Sequence, residues 1–421
     1  MVFNLTLKRI FKEGVLVTFT DYLSFGVLFL VNVFINKYYG TLQVGIFTLI
    51  YTIAQITIMS MGSGFSAILR RDVSINHELS TSYIISILQI RALILIVSLL
   101  LVTAGCYFFL DEQRNFFYFL ILMLGSKGID LFNETIYTTY QSIHAVKTFA
   151  VIKSFNYVSL GVLALLCCYL KWPIYWLYEI HLLVASFFFI LNFILFHLRH
   201  NPIWKGLGKR NILYKYLLNE TWPLLLGGFF FQLSSRISIL IIQVLNGTTL
   251  QGMYSICITI IIGLTAFSNS ISIVLFPYLT RIYKKDSTRL LPVLNRIIFI
   301  FFCCSILLFF LFRSATPYIL LHIGVLPAEA PELFNILSFS IIPIFLSAIT
   351  GYIFTIMGKQ YQGMVIAVIM LFINAALFYI FSLKFGIKGA AIAYILSQFA
   401  SFIIMYGRAY SILKKSNLVL V

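Results

Sequence analysis

The feature that most restricts this chain is a succession of about twelve apolar runs of roughly twenty residues each. At about 1.5 Å per helical residue, that length matches the hydrocarbon core of a bilayer. The first six runs are Val15–Asn36, Gln43–Met61, Tyr83–Leu110, Phe116–Thr138, Phe149–Leu170 and Ile174–Leu198. The second six are Trp222–Leu245, Leu250–Tyr278, Val293–Phe312, Phe334–Met357, Gly363–Leu383 and Gly389–Leu413. Barrel strands would be about ten residues long with strict alternation, so run length selects helices. With 61% hydrophobic and 10% charged residues and a mean hydropathy of +0.99, the chain has too much apolar surface for a soluble globule to hide. The expected fold class is therefore all-α, a polytopic integral membrane protein of about twelve transmembrane helices.

A formal net charge of +17 invites a nucleic-acid reading, but the placement of the charge excludes it. Assigning alternate loops to opposite faces puts roughly twenty Lys and Arg on the N-terminal side and about six on the other. The richest clusters are Lys8, Arg9 and Lys12; Arg199, Lys205, Lys209, Arg210 and Lys215; and Arg281, Lys284, Lys285 and Arg289. By the positive-inside rule both termini are expected in the cytoplasm, which requires an even number of spans. The polar opening through Glu13 predicts no cleaved leader. Cys106, Cys167, Cys168, Cys257, Cys303 and Cys304 lie in apolar runs without metal spacing and read as packing residues.

Connections are short. The longest are the basic stretch Arg199–Asn219 and the segment Arg313–Glu332, where a short interfacial helix is expected. A faint repeat joins the halves: Leu42-Gln43-Val44-Gly45-Ile46-Phe47-Thr48 opens the second run, and Leu250-Gln251-Gly252-Met253-Tyr254-Ser255 opens the eighth. The expected organisation is a lobe over residues 1–216 and another over 217–421, each of six helices, related by an axis along the membrane normal.

No Walker loop, H-E-x-x-H or G-x-S-x-G occurs, so no enzyme is expected. What stands out is charge inside the runs, at a cost of about 2.5–3.5 kcal/mol per group. Arg236 lies about fourteen residues into the seventh run, roughly 21 Å from its start. Gln232, Ser235 and Gln243 share its face, as the wall of a wet cavity would. Two readings stand: a fixed cation for an anionic substrate, whose phosphate a guanidinium can fork, or an arginine paired with an intramembrane acid for packing.

The fourth run carries Lys127, Asp130 and Glu134 on one face, continued by Tyr137 and Gln141. Lys127 and Asp130 are spaced to pair. Glu134 beside a like charge suits binding and release of a proton, or holding Na⁺. The alternative is a self-neutralising cluster that merely permits insertion. Asp21 shares a face with Ser24, Leu28, Asn32 and Asn36 and reads equally as an ion-coupling or an interfacial carboxylate. Arg91 is expected to snorkel, or else to join Arg236, Lys127, Gln232 and Gln243 in a cationic substrate cavity. Lys153 and Arg296 read as topology anchors, and Glu179 and His181 as solvated interface residues. Trp172, Trp176, Trp204 and Trp222 suit interfacial belts. Gly227-Gly228, Gly263, Pro277 and Pro343 mark bends or close approaches.

Several fragments, in order along nearly the whole chain, resemble one family. Lys37-Tyr38-Tyr39-Gly40 to Gly45-Ile46-Phe47, then Gly62-Ser63-Gly64-Phe65 to Arg70-Arg71, resembles the opening hairpin of polysaccharide transporters. Tyr140-Gln141-Ser142 through Lys147, Trp222-Pro223, Gly252-Met253-Tyr254 and Pro277-Tyr278-Leu279 are similar to later landmarks. So are Asn374-Ala375-Ala376-Leu377 and Phe385-Gly386-Ile387-Lys388-Gly389-Ala390-Ala391. These transporters belong to the multidrug/oligosaccharidyl-lipid/polysaccharide exporter superfamily. Length and span number suit its O-antigen (Wzx-type) flippases.

The resemblance implies a MATE-like pair of bundles in a bacterial inner membrane. It implies movement of undecaprenyl-pyrophosphate-linked O-units from the cytoplasmic to the periplasmic leaflet, with an H⁺ or Na⁺ gradient as driving force and no cofactor or metal. Implied partners are the lipid-linked oligosaccharide, membrane lipids, an O-antigen polymerase and a chain-length regulator, with no nucleic acid. Many relatives carry an acid near the position of Arg236, which moves the expected coupling role to Glu134, Asp130 or Asp21. The competing readings are a cation or drug antiporter of the same superfamily and a membrane glycan polymerase or ligase.

Overall fold

The computed structural model describes residues 2–59, 63–109, 114–143, 145–199, 210–323 and 329–418; some side chains within them, Asp21 and Pro277 included, lie outside the described set. The regular structure among the described residues is helical. In the first half run α1 (Val2–Tyr39), α2 (Thr41–Met59), α3 (Ser63–Ile75), α4 (Ser80–Phe109), α5 (Arg114–Ser142), α6 (Val146–Tyr169) and α7 (Tyr175–Arg199). The second half has α8 (Arg210–Asn246), α9 (Thr248–Lys285), α10 (Leu290–Ile323), α11 (Ala330–Ser338), α12 (Ile341–Ile356) and α13 (Gln360–Leu418).

Among the described residues nine helices are long and apolar enough to cross a membrane, and α11 with α12, bent by 43°, forms a further candidate span. One of the nine, α13, is two helices joined at Gly386, whose φ of 59° and ψ of −143° break the helical path. With α1 over the first apolar run, the helices account for the spans expected from sequence. The chain is a multi-pass membrane protein, and its outward side chains agree: Leu93, Ile96, Leu100 and Leu101 along α4 are all exposed.

Two expectations about connections are corrected. The stretch through Asn219 is not all loop, because α8 starts at Arg210. That extension has something to pack on: Leu217 is buried with Phe65, Ile68, Leu69, Val73, Tyr83 and Ile87. The Tyr214 hydroxyl donates to Gln89, and those of Tyr216 and Tyr83 donate to Asp72 at 3.0 and 2.7 Å. The interfacial helix expected after Arg313 is instead the continuation of α10 to Ile323. Trp204 and Gly324 lie outside the described residues.

The helices pack into two compact units. Unit 1 holds residues 1–14, 35–46 and 233–421, and unit 2 holds 15–34 and 47–232. In unit 2, α5 is central and packs on α3, α4, α6 and α7. In unit 1 the bent α11–α12 pair takes that role, packing on α9, α10 and α13. The repeat is visible in the backbone. Gly40 and Gly247 turn the hairpins α1–α2 and α8–α9 with φ of +87° and +85°, values L side chains rarely adopt. Asn76 and Asp286 each cap a single 3₁₀ turn, His77–Leu79 and Ser287–Arg289, accepting from the amide two residues on.

Within unit 1 the start of α2 lies against the start of α9 at a glycine crossing. A Cβ on Gly45 would meet the Thr248 carbonyl oxygen at 2.1 Å. A Cβ on Gly252 would meet the Thr41 carbonyl oxygen at 2.3 Å and the Gly45 nitrogen at 2.7 Å. In lipid there is little hydrophobic gain from bringing helices together, so such close backbone approach supplies the adhesion. These are the glycines of the echoed Leu-Gln segments.

Gly45→Ala is expected to destabilise the protein by about 3 kcal/mol or more, because the obstacle is backbone and cannot turn aside. Gly263→Ala, with nothing within 4 Å of its added carbon, should be neutral or stabilise by up to about 1 kcal/mol through helix propensity. Thermal unfolding of the two purified variants beside the parent protein checks the contrast.

Candidate functional site

In unit 2 the charged face of α5 sits inside the bundle. Lys127 Nζ lies 2.9 Å from Asp130 Oδ2, with side chains 7% and 27% exposed, so the spacing-based pairing is realised. The ammonium also rests 4.5 Å from the centroid of the Tyr51 ring on α2, a cation–π contact that no sequence spacing announces. Glu134, half-buried two turns on, accepts the Thr138 hydroxyl at 3.3 Å. Lys127 therefore presents its charge to Asp130 and Tyr51 rather than to an open cavity.

Arg91 corrects the snorkelling expectation. It is 2% exposed, and its guanidinium donates to the Leu131 carbonyl and the Thr135 hydroxyl, both at 2.5 Å, and to Ser66 Oγ at 3.0 Å. It staples α4 to α5 and α3 and lies within electrostatic reach of Glu134. The physical reason is local: Thr135 and the Leu131 carbonyl stand one helical turn apart on α5 and form a ready acceptor pair. Two cations and two carboxylates thus occupy this interior, a balance that lowers the cost of holding charge away from water.

Sequence reasoning missed two further polar ties. Asn133 Nδ2 donates to the Ala185 carbonyl at 3.1 Å, and Asn192 Nδ2 donates to Asn133 Oδ1 at 2.7 Å, pinning α5 to α7. An asparagine inside each of two apolar runs was the available signal. His181 is also corrected. It is buried at 4% exposure against the Phe47 ring, 5.7 Å between centroids, because α7 turns it inward beside Tyr178. Glu179 does sit at the edge, accepting the Tyr118 hydroxyl at 3.1 Å. The Asp21 side chain lies outside the described residues.

The seventh apolar run lies on α8, and its part from Leu233 on belongs to unit 1. Arg236 there is half-buried, with interactions of its own, and within electrostatic reach of Tyr394 on α13. Two residues earlier, Ser234 Oγ accepts from Asn374 Nδ2 at 2.9 Å, joining α8 to α13 beside the cation. Gln243 does not belong to that wall. Its side-chain amide donates to the Thr248 hydroxyl at 2.8 Å and serves the hairpin turn at Gly247, because helix α8 ends only three residues later. Gln232 belongs to unit 2.

The two sets of runs differ in charge. From Leu233 to the end the sequence holds three acids, Asp286, Glu329 and Glu332, all outside the apolar runs. The apolar runs of the second half therefore carry Arg236 deep inside and no carboxylate. Those of the first half hold cations and carboxylates together.

A family model described as polysaccharide biosynthesis protein matches residues 11–283. No curated protein matches the sequence significantly. Among solved structures, an inward-facing multidrug resistance MATE family transporter of the MOP superfamily superposes with a TM-score of 0.77 at 13% identity, over 94% of this chain and 96% of that one. An outward-facing counterpart gives 0.69 at 15% identity over 96% of each chain. A MOP superfamily transporter from Pyrococcus furiosus, reported to have a binding pocket of reversed polarity, gives 0.65 at 12% identity over 96% of each. The shared fold is that of membrane transporters.

Asp130→Asn should cost about 3 kcal/mol by leaving the Lys127 ammonium buried without its carboxylate. Adding Lys127→Met should recover most of the loss. Unfolding of the two single variants and the double variant measures the coupling, and additive losses would contradict the pairing.

Proposed function

Because the chain belongs to the polysaccharide biosynthesis protein family, we propose that it is a flippase for lipid-linked oligosaccharides. It turns undecaprenyl-pyrophosphate-linked O-antigen units from the cytoplasmic to the periplasmic leaflet of a bacterial inner membrane by alternating access. The observation that carries the reading is the cationic bias of the second-half apolar runs, centred on Arg236. A pyrophosphate headgroup is doubly suited to it, since it brings negative charge and oxygen pairs that a planar guanidinium forks. The polyprenyl tail stays in lipid throughout, so the protein has to shelter only the polar end. The ion-coupling role falls to Asp130 and Glu134, with Asp21 as the remaining candidate, driven by H⁺ or Na⁺. A potential of ~100 mV supplies about 2.3 kcal/mol per charge moved.

A second reading, export of cationic drugs, is favoured by the structural likeness to multidrug transporters. A cationic cargo would need carboxylates at the site, whereas the apolar runs around Arg236 have none. The Pyrococcus furiosus neighbour, whose pocket of reversed polarity is reported to suggest a different function, supports reading the polarity of each chain's own residues rather than the fold.

Arg236→Ala is expected to lower O-antigen display at least tenfold while membrane insertion is retained, read by surface glycan staining beside membrane-fraction quantitation. Undiminished display would remove Arg236 from the mechanism, and sensitisation of a deletion strain to cationic dyes would favour the drug reading. Single O-units stranded on the inner leaflet, rather than unpolymerised units on the outer one, separate a flippase from a polymerase. In reconstituted vesicles Glu134→Gln should blunt the dependence of flipping on the pH or Na⁺ gradient.

A further inference from the structure

One end of unit 1 gathers a charged surface that the transport reading does not use. There α9 finishes at Lys285, α10 starts at Leu290 and α13 comes to its close, and the turn Ser287–Arg289 touches all three. Beneath them Leu279, Leu290, Leu294, Ala409 and Leu413 form a common core. The Tyr406 hydroxyl donates to Asn295 Oδ1 at 2.8 Å and fastens α13 to α10. Around the outside Lys285, Arg289, Arg296, Arg408 and Lys414 are exposed, the Arg289 side chain to 80%.

Acid is nearly absent here. Within residues 270–323 and 400–421 the sequence holds only Asp286. Its carboxylate accepts the Thr288 hydroxyl at 2.5 Å and the Thr288 amide at 3.0 Å, and lies 2.9 Å from Arg289 Nε. The Thr288 hydroxyl above all, then its amide and Arg289, holds the Asp286 carboxyl below its ordinary range, so it is spent on closing the turn.

The internal repeat distinguishes a ligand surface from a mere topology signal. Aligning the capped turns at Asn76 and Asp286 places Ile75, Leu79 and Ser86 where Lys285, Arg289 and Arg296 stand. That end of unit 2 also carries Asp72 and Glu78, and its Arg70 donates to Gln141. At these three positions the same fold element is built without cations in the other half, although Arg71 matches Arg281, so the fold does not demand Lys285, Arg289 or Arg296. Orientation of the chain is already served by the basic residues near Lys8 and Arg199.

The cations stand on exposed faces near the ends of α9, α10 and α13, beside the apolar runs. Exposed aromatics stand among them: Tyr278, and Tyr410, whose ring lies 6.0 Å from Lys414 Nζ. Tyrosines at this depth sit at headgroup level, and basic clusters beside spans attract anionic lipid by about 1 kcal/mol per residue. We propose that this end of unit 1 binds the headgroups of anionic phospholipids through Lys285, Arg289, Arg296, Arg408 and Lys414. The surface is separate from Arg236, and the proposal stands whether or not the cargo is a lipid-linked saccharide.

The test uses the full chain in nanodiscs of phosphatidylcholine alone or mixed with phosphatidylglycerol, with thermal unfolding and retained lipid as readouts. Phosphatidylglycerol should raise the unfolding midpoint by a few degrees, less so as salt is added. A variant combining Arg289→Gln, Arg296→Gln, Arg408→Gln and Lys414→Gln should lose that gain while matching the parent in phosphatidylcholine. An unchanged gain in the variant, or no gain in the parent, overturns the proposal and leaves the cations to topology. Should the variant unfold in both discs, the parent decides: a salt-insensitive gain, or an equal one from inorganic phosphate, overturns it.

Discussion

Hydrocarbon offers a peptide group no hydrogen-bond partner, and the architecture follows from that single restriction. Every descent through the bilayer has to be helix, so the chain changes direction only at a few tightly made corners. Gly40 and Gly247 supply the left-handed residue at two of these, and Gly386 breaks the longest helix at another. The side chains outside are apolar because lipid is the solvent there. Some of the polar groups that remain inside tie helix to helix, as Arg91 is tied to Leu131 and Thr135 and Asn192 to Asn133.

Within that frame the two units handle charge differently. The central helix of unit 2 carries Lys127, Asp130 and Glu134, closed by Arg91 from α4 and by Tyr51 from α2. Its counterpart in unit 1, the α11–α12 pair, holds no charged residue between Asn335 and Met357 and is bent instead. Charge in one core and a kink in the other are two ways of departing from a uniform apolar rod. The first keeps ionisable groups inside the bundle, and the second replaces them with a bend of 43°. Arg236 belongs to the unit with the bend.

Much of this was legible in the sequence because membrane burial is written in run length. A stretch such as Val146–Tyr169 has few alternatives to a spanning helix. The i, i+3 spacing of Lys127 and Asp130 foretold their pairing. What escaped was information that lies between helices. Nothing around Arg91 announces that the acceptors it reaches are forty residues away. Likewise His181 reads as an interface residue until its neighbour Phe47 is known. Gln243 shares a face of α8 with Arg236 by periodicity, yet its amide is spent on Thr248 across the turn, a partner no periodicity shows. The extension of α8 below the apolar run was hidden for the same reason, since its support, Leu217 on Phe65 and Val73, is tertiary.

The join between Gly45 and Gly252 has a consequence for how the molecule can move. It is made chiefly of main chain meeting main chain, with the Thr248 methyl the one side-chain group among the nearest atoms, so it has little to yield by degrees. Two hairpins seated in this way cannot drift apart through a continuum of looser fits. They either stay meshed or disengage outright, which makes the contact a detent rather than a spring.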